Sequence, residues 1–190
     1  WMLHDGCTPQ QVREGKVQDL IGFQEIGCHI VFDIKMNFTR KAQFMAGGHT
    51  TEAPSSLTYS SVVSQDSVRL AFLIAALNDI DIMSCDLENA YLNAPCREKI
   101  WFEGGIECGE DQGKVCVIVR SLYGLKSAGA AFRSSLAQLL QDLGYTSWRA
   151  NPDHVWLRAA ARDDRHECYE MLFVYVNDIL ALSHQVEDVI

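Results

Sequence analysis

A polar pair interrupts an apolar run in the stretch FVYVNDILAL, which spans residues 173–182. Asn and Asp tolerate the backbone conformations of a tight turn, and the flanking residues are of types that favour strands. The stretch therefore predicts a β-hairpin with Asn177 and Asp178 at its tip. Such a hairpin would hold the carboxylate of Asp178 rigidly at the edge of a sheet.

A second stretch, IDIMSCDLENAY at residues 80–91, complements the first. Residues 80–86 alternate like a strand, and Asp86 lies at its end. If the two strands are neighbours, Asp86 and Asp178 meet, and facing carboxylates are ligands that Mg²⁺ prefers. On these two features alone, an ordinary turn pair and a solvated aspartate are the favoured interpretation.

The composition is that of one globular domain with a sizeable core. The chain has 190 residues, of which 48% are hydrophobic, and no apolar run approaches the ~20 residues that span a bilayer. Residues 1–5, WMLHD, lack the basic and apolar regions of a secretory signal. The seven cysteines form no C-x-x-C pair and no zinc spacing, which favours a reducing compartment. We therefore expect an intracellular protein, cytoplasmic or nuclear, with no membrane partner.

The net charge of −9 argues against a free-standing nucleic-acid binder, because phosphate neutralisation requires Lys and Arg. The charge is uneven, since residues 51–190 carry eleven basic and twenty acidic side chains. One basic turn stands out at residues 35–41, KMNFTRK. A hairpin with Lys35, Arg40 and Lys41 near its tip is a candidate phosphate clamp. The alternative is a solvated basic turn.

Helical and strand patterns alternate along the chain, which predicts an α+β fold. We expect a loose polar arm at residues 1–20 and helices at 61–77, with Ser61 or Ser64 as N-cap, and at 128–143. The further expected elements are strands at 115–119 and 154–158 and loops at 46–61, 103–113 and 159–167.

Five ordered segments of the chain together resemble the reverse transcriptase domain of copia-type retrotransposons, over roughly residues 20–184. An ordered set of this kind is far more specific than any one tetrapeptide. The segments are FDIKM (32–36) with TRKA (39–42) and AGGH (46–49), TYSSVVS (58–64) with AFLIAALND (71–79), DLENAYLN (86–93), SLYGLK (121–126) and YVND (175–178).

The resemblance implies a fold of fingers and palm, with an antiparallel palm sheet packed on helices. It places the fingers-like segment at residues 21–60 and the palm-like segment at 61–190, with the thumb absent. It also implies an RNA-directed DNA polymerase that uses two Mg²⁺ ions, or Mn²⁺. The implied partners are an RNA or DNA template with its primer, dNTPs, and the rest of a Pol polyprotein with its integrase and ribonuclease H.

The same resemblance assigns roles to individual residues. Asp86, Asn177 and Asp178 occupy the catalytic positions, and Asp86, Asp178 and the carbonyl of Leu87 are the implied metal ligands. Tyr91 takes the position of the aromatic gate that rejects a ribose 2′-hydroxyl. The implied nucleotide-binding residues are Lys35, Gln43, Leu87, Ala90, Tyr91, Tyr123, Gly124 and Lys126.

Two departures from the family pattern predict impaired catalysis. Asn177 replaces the first Asp of Tyr-Val-Asp-Asp, so the site loses a full negative charge. Gln43 replaces the fingers Arg, so the triphosphate loses a cation and its bidentate fork. Phe132 replaces a Trp, which we interpret as a packing change.

Two alternative functions remain open at this point. One is a catalytically dead remnant that at most binds nucleic acid. The other is a metal-dependent phosphohydrolase built on Asp81, Asp86 and Asp178. Because Asp81 and Asp86 are an odd number of residues apart, they point to opposite faces of a regular strand, which weakens the second alternative.

Overall fold

The computed structural model describes residues 1–52, 58, 60–152, 154–163 and 166–189. Parts of the expected loops at 46–61 and 159–167 lie outside the described residues. The helices are α1 (Pro9–Arg13), α2 (Gln65–Asn78) and α3 (Ala128–Asp142), and the strands are β1 (Met2–Leu3), β2 (Gln24–Glu25), β3 (Cys28–Ile34), β4 (Arg40–Ala46), β5 (Asp81–Asp86), β6 (Ile100–Glu103), β7 (Val115–Val117), β8 (Thr146–Ser147), β9 (Val155–Asp163), β10 (His166–Tyr175) and β11 (Asp178–Ser183). This mixture confirms the α+β class.

The chain divides into two units. The first comprises Trp1–Tyr59 and Tyr91–Phe132, and the second comprises Ser60–Ala90 and Arg133–Ile190. Residues 91–132 therefore pack with the N-terminal part of the chain. The functional names fingers and palm, and their division at residue 60, stay predictions.

The first unit contains a four-stranded sheet in the order β1-β7-β6-β2 and a separate two-stranded sheet of β3 and β4. Both faces of the larger sheet are covered, because alternate residues of β6 and β7 belong to different cores. Phe102 and Cys116 pack with Ile26, whereas Trp101 and Val115 belong to a cluster on the other side. Burial on both faces explains why these strands read as continuous apolar runs.

The N-terminal segment is attached to this unit, so the expectation of a loose arm was wrong. Met2 pairs with Val117 in the sheet. The helix α1 begins with a capping box, in which Thr8 and Gln11 exchange hydrogen bonds between side chain and backbone. At its end, Arg13 Nη2 bonds Glu103 Oε2 at 2.7 Å. These long-range contacts cannot be read from the polar composition of the segment.

The second unit is built on a five-stranded sheet in the order β5-β11-β10-β9-β8, in which every pairing is antiparallel. The helix α2 packs against it, since Ala71 and Ala75 share a buried cluster with Val155, Phe173 and Leu182. The small alanines allow a close approach of helix and sheet. An antiparallel sheet packed on a helix agrees with the expected architecture.

The largest differences from the expected element boundaries occur in two places. The helix α2 begins at residue 65, because Ser64 is its N-cap and accepts a hydrogen bond from the Ser67 N–H at 3.1 Å. The strands β9 and β10 extend into the expected charged loop at 159–167, with Ala159 opposite Tyr169. Backbone pairing along an exposed ribbon tolerates charged side chains, so composition alone misplaced this loop.

Candidate active site

The β10–β11 turn presents the predicted carboxylate, but its tip lies one residue earlier than expected. Tyr175 pairs with Asp178, so the two turn residues are Val176 and Asn177. Val176 has a positive φ of 55°, a conformation that costs a β-branched residue appreciable free energy. The expected tip, Asn177 and Asp178, was wrong because Asp178 is already a member of β11.

The strand on the other side of β11 explains this register. β11 pairs with β5 along its whole length, and Asp178 lies directly opposite Asp86. The predicted meeting of the two aspartates is therefore confirmed at the level of the backbone. The Leu87 N–H donates to the backbone carbonyl of Asn177 at 2.8 Å, which joins the end of β5 to the turn.

The Asn177 side chain also reaches β5. Its amide nitrogen donates a hydrogen bond to Oδ1 of Asp86. One oxygen of the Asp86 carboxylate thus accepts a hydrogen bond from a neutral donor, the Asn177 amide. The amide holds the position at which the family pattern has a third carboxylate.

The oxygen donors of this site are suited in kind to a hard divalent cation, because Asp86, Asp178 and the Leu87 carbonyl offer oxygen ligands. They do not supply the full set that two ions share. Within the described part of the chain, no group of three or more His, Cys, Asp or Glu side chains is placed to hold a metal. The residues present therefore do not fit the two-ion arrangement that the resemblance implies.

The pKa of the Cys85 thiol is affected by the negative charge of the site. Burial raises the pKa of Cys85, and the neighbouring carboxylates of Asp86 and Asp178 raise it further. The carboxylates of Asp86 and Asp178 thus both contribute negative charge at this end of the sheet. Their combined field favours a cation or a hydrogen-bond donor at this place.

The Tyr123-Gly124 turn is held tightly in the first unit. Ala46 donates its N–H to the Tyr123 carbonyl at 2.8 Å. A Cβ on Gly124, whose φ is +93°, would lie 2.0 Å from the Ala46 carbonyl oxygen, and one on Gly48 would lie 2.3 Å from the Gly124 carbonyl oxygen. Only glycine permits this approach of two backbones.

Lys126 and Ser127 continue this turn into α3. The Lys126 ammonium donates a hydrogen bond to the Thr51 carbonyl. Oε1 of Glu98 accepts hydrogen bonds from the Ser127 N–H at 2.8 Å and from Ser127 Oγ at 2.6 Å, where Ser127 is only 1% exposed. Sequence reasoning missed Glu98, because a carboxylate 29 residues away from the helix start leaves no local signal.

Tyr91 belongs to an aromatic cluster of the first unit. Its ring centroid is 4.6 Å from that of Tyr123 and 5.9 Å from that of Phe132. Tyr91 is half-buried against the core. The packing suits a core tyrosine, and the partial exposure leaves the proposed role as a gate available.

The predicted basic hairpin is present as β3 and β4. Residues 35–39 connect the strands, and the Lys35 N–H donates to the Thr39 carbonyl at 2.9 Å. Lys35, Arg40 and Lys41 are all exposed. Gln43 lies opposite Val31, two residues beyond Lys41.

The predicted site residues thus fall into two groups. Asp86, Leu87, Asn177 and Asp178 meet in the second unit. Ala90, which is buried and begins the 3₁₀-helix Ala90–Asn93, is also assigned to that unit. The residues in the first unit are Lys35, Gln43, Tyr91, Tyr123, Gly124 and Lys126.

Among the helices that the structure describes, none is long and apolar enough to cross a membrane.

Comparison with known proteins identifies the family. Residues 17–189 match the family described as reverse transcriptase (RNA-dependent DNA polymerase). The chain is 27% identical over 127 residues to the Retrovirus-related Pol polyprotein from transposon TNT 1-94 of Nicotiana tabacum, which is 66% of this chain and 9% of that protein.

Two further relatives carry similar names. The chain is 25% identical over 164 residues to the Retrovirus-related Pol polyprotein from transposon RE1 of Arabidopsis thaliana, covering 82% of this chain and 11% of the relative. It is 29% identical over 125 residues to the Transposon Ty1-DR4 Gag-Pol polyprotein of Saccharomyces cerevisiae, covering 63% and 8%. The matched segments span about a tenth of these relatives. Because the family match covers nearly the whole chain, the chain belongs to the reverse transcriptase (RNA-dependent DNA polymerase) family, in the form found in retrotransposons.

Proposed function

We propose that this chain is the RNA-directed DNA polymerase domain of a copia-type retrotransposon and that its catalysis is impaired. The observation that carries the proposal is the register of β5 and β11, which sets Asp178 opposite Asp86. An amide, that of Asn177, occupies the third position and bonds Asp86. The fold supports a polymerase origin, and the amide supports the loss of rate.

In this proposal the residues of the first unit bind the nucleotide. The Lys35 ammonium is a point charge for the triphosphate, and the Tyr91 ring excludes a ribose 2′-hydroxyl. Tyr123, Gly124 and Lys126 lie against the incoming nucleotide and template. The close backbone contacts of Gly124 support a preorganised surface for this purpose.

The impairment follows from charge. Polymerases of this class use two divalent cations, Mg²⁺ or Mn²⁺, to activate the primer 3′-hydroxyl and to stabilise the leaving pyrophosphate. Asn177 is neutral, and its amide nitrogen occupies an Asp86 oxygen. Even the loss of a group that only supports a metal ligand typically lowers metal affinity or activity by about 10–100-fold. We therefore expect the rate of primer extension to be lowered by more than about 100-fold. Gln43 removes a further cation from the triphosphate site.

The test is primer extension on an RNA template with dNTPs and either Mg²⁺ or Mn²⁺. This chain is compared with Asn177→Asp, Gln43→Arg and Asp86→Ala. Because the chain spans about a tenth of its relatives, each variant is fused after residue 190 to the downstream segment of a polymerase-competent relative. We expect Asn177→Asp to extend primers at least about 100-fold faster than the unmodified chain, and Asp86→Ala to be inactive.

Two outcomes would contradict the proposal. Extension by the unmodified chain at the rate of Asn177→Asp would show that the amide is tolerated. Failure of every variant, including the double variant Asn177→Asp with Gln43→Arg, would show that the polymerase assignment does not describe this copy.

A nucleic-acid-binding remnant is the second candidate, and the exposed basic hairpin favours it. Lys35, Arg40 and Lys41 are available to phosphates, although the net charge of −9 opposes binding. Salt-sensitive binding of a primer–template by the unmodified chain, with no extension by any variant, would favour this candidate. For the polymerase, the proposed natural partners are an RNA or DNA template with its primer, dNTPs and the rest of a Pol polyprotein, with integrase and ribonuclease H.

The phosphohydrolase alternative requires Asp81 close to Asp86 and Asp178, and the structure separates them. Asp81 lies opposite Ser183, at the other end of β5 from Asp86 and its partner Asp178. Release of phosphate from a nucleotide without primer, dependent on Mg²⁺, would be needed to revive it.

A further inference from the structure

We infer that the Asn177 amide takes the place of a bound cation in this site, so that the β10–β11 turn is joined to β5 without metal. The inference concerns the site of the proposed function, but it rests only on contacts within the second unit. It therefore holds or fails separately from polymerase activity.

The carboxylates of Asp86 and Asp178 lie close together and repel each other. Asp86 and Asp178 are direct cross-strand partners, and like charges in this relation destabilise a sheet. An aspartate at position 177 would bring a third carboxylate within bonding distance of Asp86. A bound cation, or protonation of one carboxylate, offsets the repulsion in such a cluster, and near neutral pH a cation is the favoured partner of ionised carboxylates.

Asn177 replaces that requirement with a hydrogen bond. Its side-chain N–H donates to Asp86 Oδ1, and a donor bound to a carboxylate stabilises the charged form. The opposite orientation of the amide would set its oxygen against the carboxylate, so the neighbouring charge itself determines which atom faces Asp86.

The backbone makes the turn depend on this contact. The Leu87 N–H donates to the Asn177 carbonyl at 2.8 Å, so residue 177 bonds β5 through both its backbone and its side chain. The adjacent Val176 has a φ of 55°, and such a conformation persists only where its surroundings hold it. Loss of the amide contact removes one of the two attachments of a strained turn.

The experiment compares the thermal unfolding of the 190-residue chain with that of Asn177→Asp and Asn177→Ala. Each protein is measured in EDTA and in Mg²⁺ at matched ionic strength. Asn37→Asp is the matched control, because it adds the same charge in the exposed β3–β4 turn and keeps the oxygen that accepts from the Thr39 N–H.

We expect the Tm of the unmodified chain to be the same in EDTA and in Mg²⁺. In EDTA, Asn177→Asp should unfold about 4 °C or more below it, and Mg²⁺ should restore most of that difference. Asn177→Ala should also unfold at a lower temperature but show no recovery with Mg²⁺, because it adds no ligand. The control Asn37→Asp should have the Tm of the unmodified chain both in EDTA and in Mg²⁺.

Manganese binding, followed by the loss of the free-ion electron paramagnetic resonance signal, gives an independent readout. Asn177→Asp should bind Mn²⁺ at least about tenfold more tightly than the unmodified chain. The inference is overturned if Mg²⁺ stabilises the unmodified chain as much as Asn177→Asp, or if Asn177→Asp is as stable as the unmodified chain in EDTA. If these stability results hold while no variant extends primers, only the polymerase proposal fails.

Discussion

The β10–β11 hairpin and the β3–β4 hairpin both carry predicted functional side chains, but their surroundings differ. The first hairpin lies inside a five-stranded sheet, with β9 on one side and β5 on the other, whereas β3 and β4 form a sheet of their own. Leu182 of β11 is 0% exposed, and Phe32 of β3 is 76% exposed.

This difference shows how a fold decides which functional groups it holds rigidly. Asp178 is placed by pairing on both edges of its hairpin and by a buried cluster beneath it. Lys35 is placed by a single turn. The next residue of that turn, Met36, is 101% exposed. A carboxylate that must meet another at short range needs the first kind of support, and a cation that meets a phosphate from solvent does not.

The largest expected effect tests this contrast in stability. Leu182→Ala should lower the free energy of unfolding by about 2–5 kcal/mol, because it leaves a cavity between the sheet and α2. Phe32→Ala, the matched truncation on the exposed hairpin, should change it by less than about 0.5 kcal/mol. Chemical denaturation measures both, and equal losses would show that the two hairpins are supported alike.

An intermediate effect concerns the far end of β10. The buried Tyr145 hydroxyl donates to Glu170 Oε2 at 3.1 Å, and Arg158 Nε donates to the same oxygen at 2.7 Å. Removal of the hydroxyl by Tyr145→Phe should cost about 1.5–3 kcal/mol at neutral pH, since the acceptor is a charged group.

The same pair predicts a dependence on alkaline pH. Burial, and then the charge of Glu170, raises the pKa of Tyr145 from 10.0 to about 12. Because the folded-state pKa is raised, this contribution to stability is complete below about pH 10 and is lost as pH rises towards 12. Denaturation midpoints between pH 9 and 12 should fall less steeply in Tyr145→Phe, and the remaining fall should come from other groups with a raised pKa, among them the thiols of Cys28, Cys85 and Cys116. An unchanged slope would show that Tyr145 does not link β10 to this part of the unit.

The smallest expected effect compares the two turns directly. Val176 and Phe38 both have positive φ, at 55° and 61°. Val176→Gly should raise the free energy of unfolding by about 1 kcal/mol, because a β-branched residue is most strained there. Phe38→Gly should give a smaller gain, and a larger gain from Phe38→Gly would reverse the ranking of strain in the two hairpins.

The predictions that succeeded are those that depend on local patterns. Alternation in residues 80–86 and the apolar flanks of residues 173–182 predicted two strands, and the structure makes them neighbours and sets Asp86 opposite Asp178. The five ordered segments predicted the family, which the match over residues 17–189 confirms. The roles of the individual site residues stay predictions.

The predictions that failed depend on distant neighbours. The hairpin tip moved from Asn177-Asp178 to Val176-Asn177, because pairing with β5 decided the register over the turn preference of the residues. The N-terminal segment read as a loose arm, since its partner strand β7 lies more than a hundred residues later. No local spacing relates Glu98 to the start of α3.

Local patterns in the chain were therefore sufficient for the α+β class, the strands that carry the aspartates and the family. Tertiary structure alone decided that the Asn177 amide faces Asp86 and that Glu98 accepts from Ser127. The physical reason is that strand periodicity and turn preference act over a few residues. A hydrogen bond between side chains exists only after distant strands have become neighbours in a particular register.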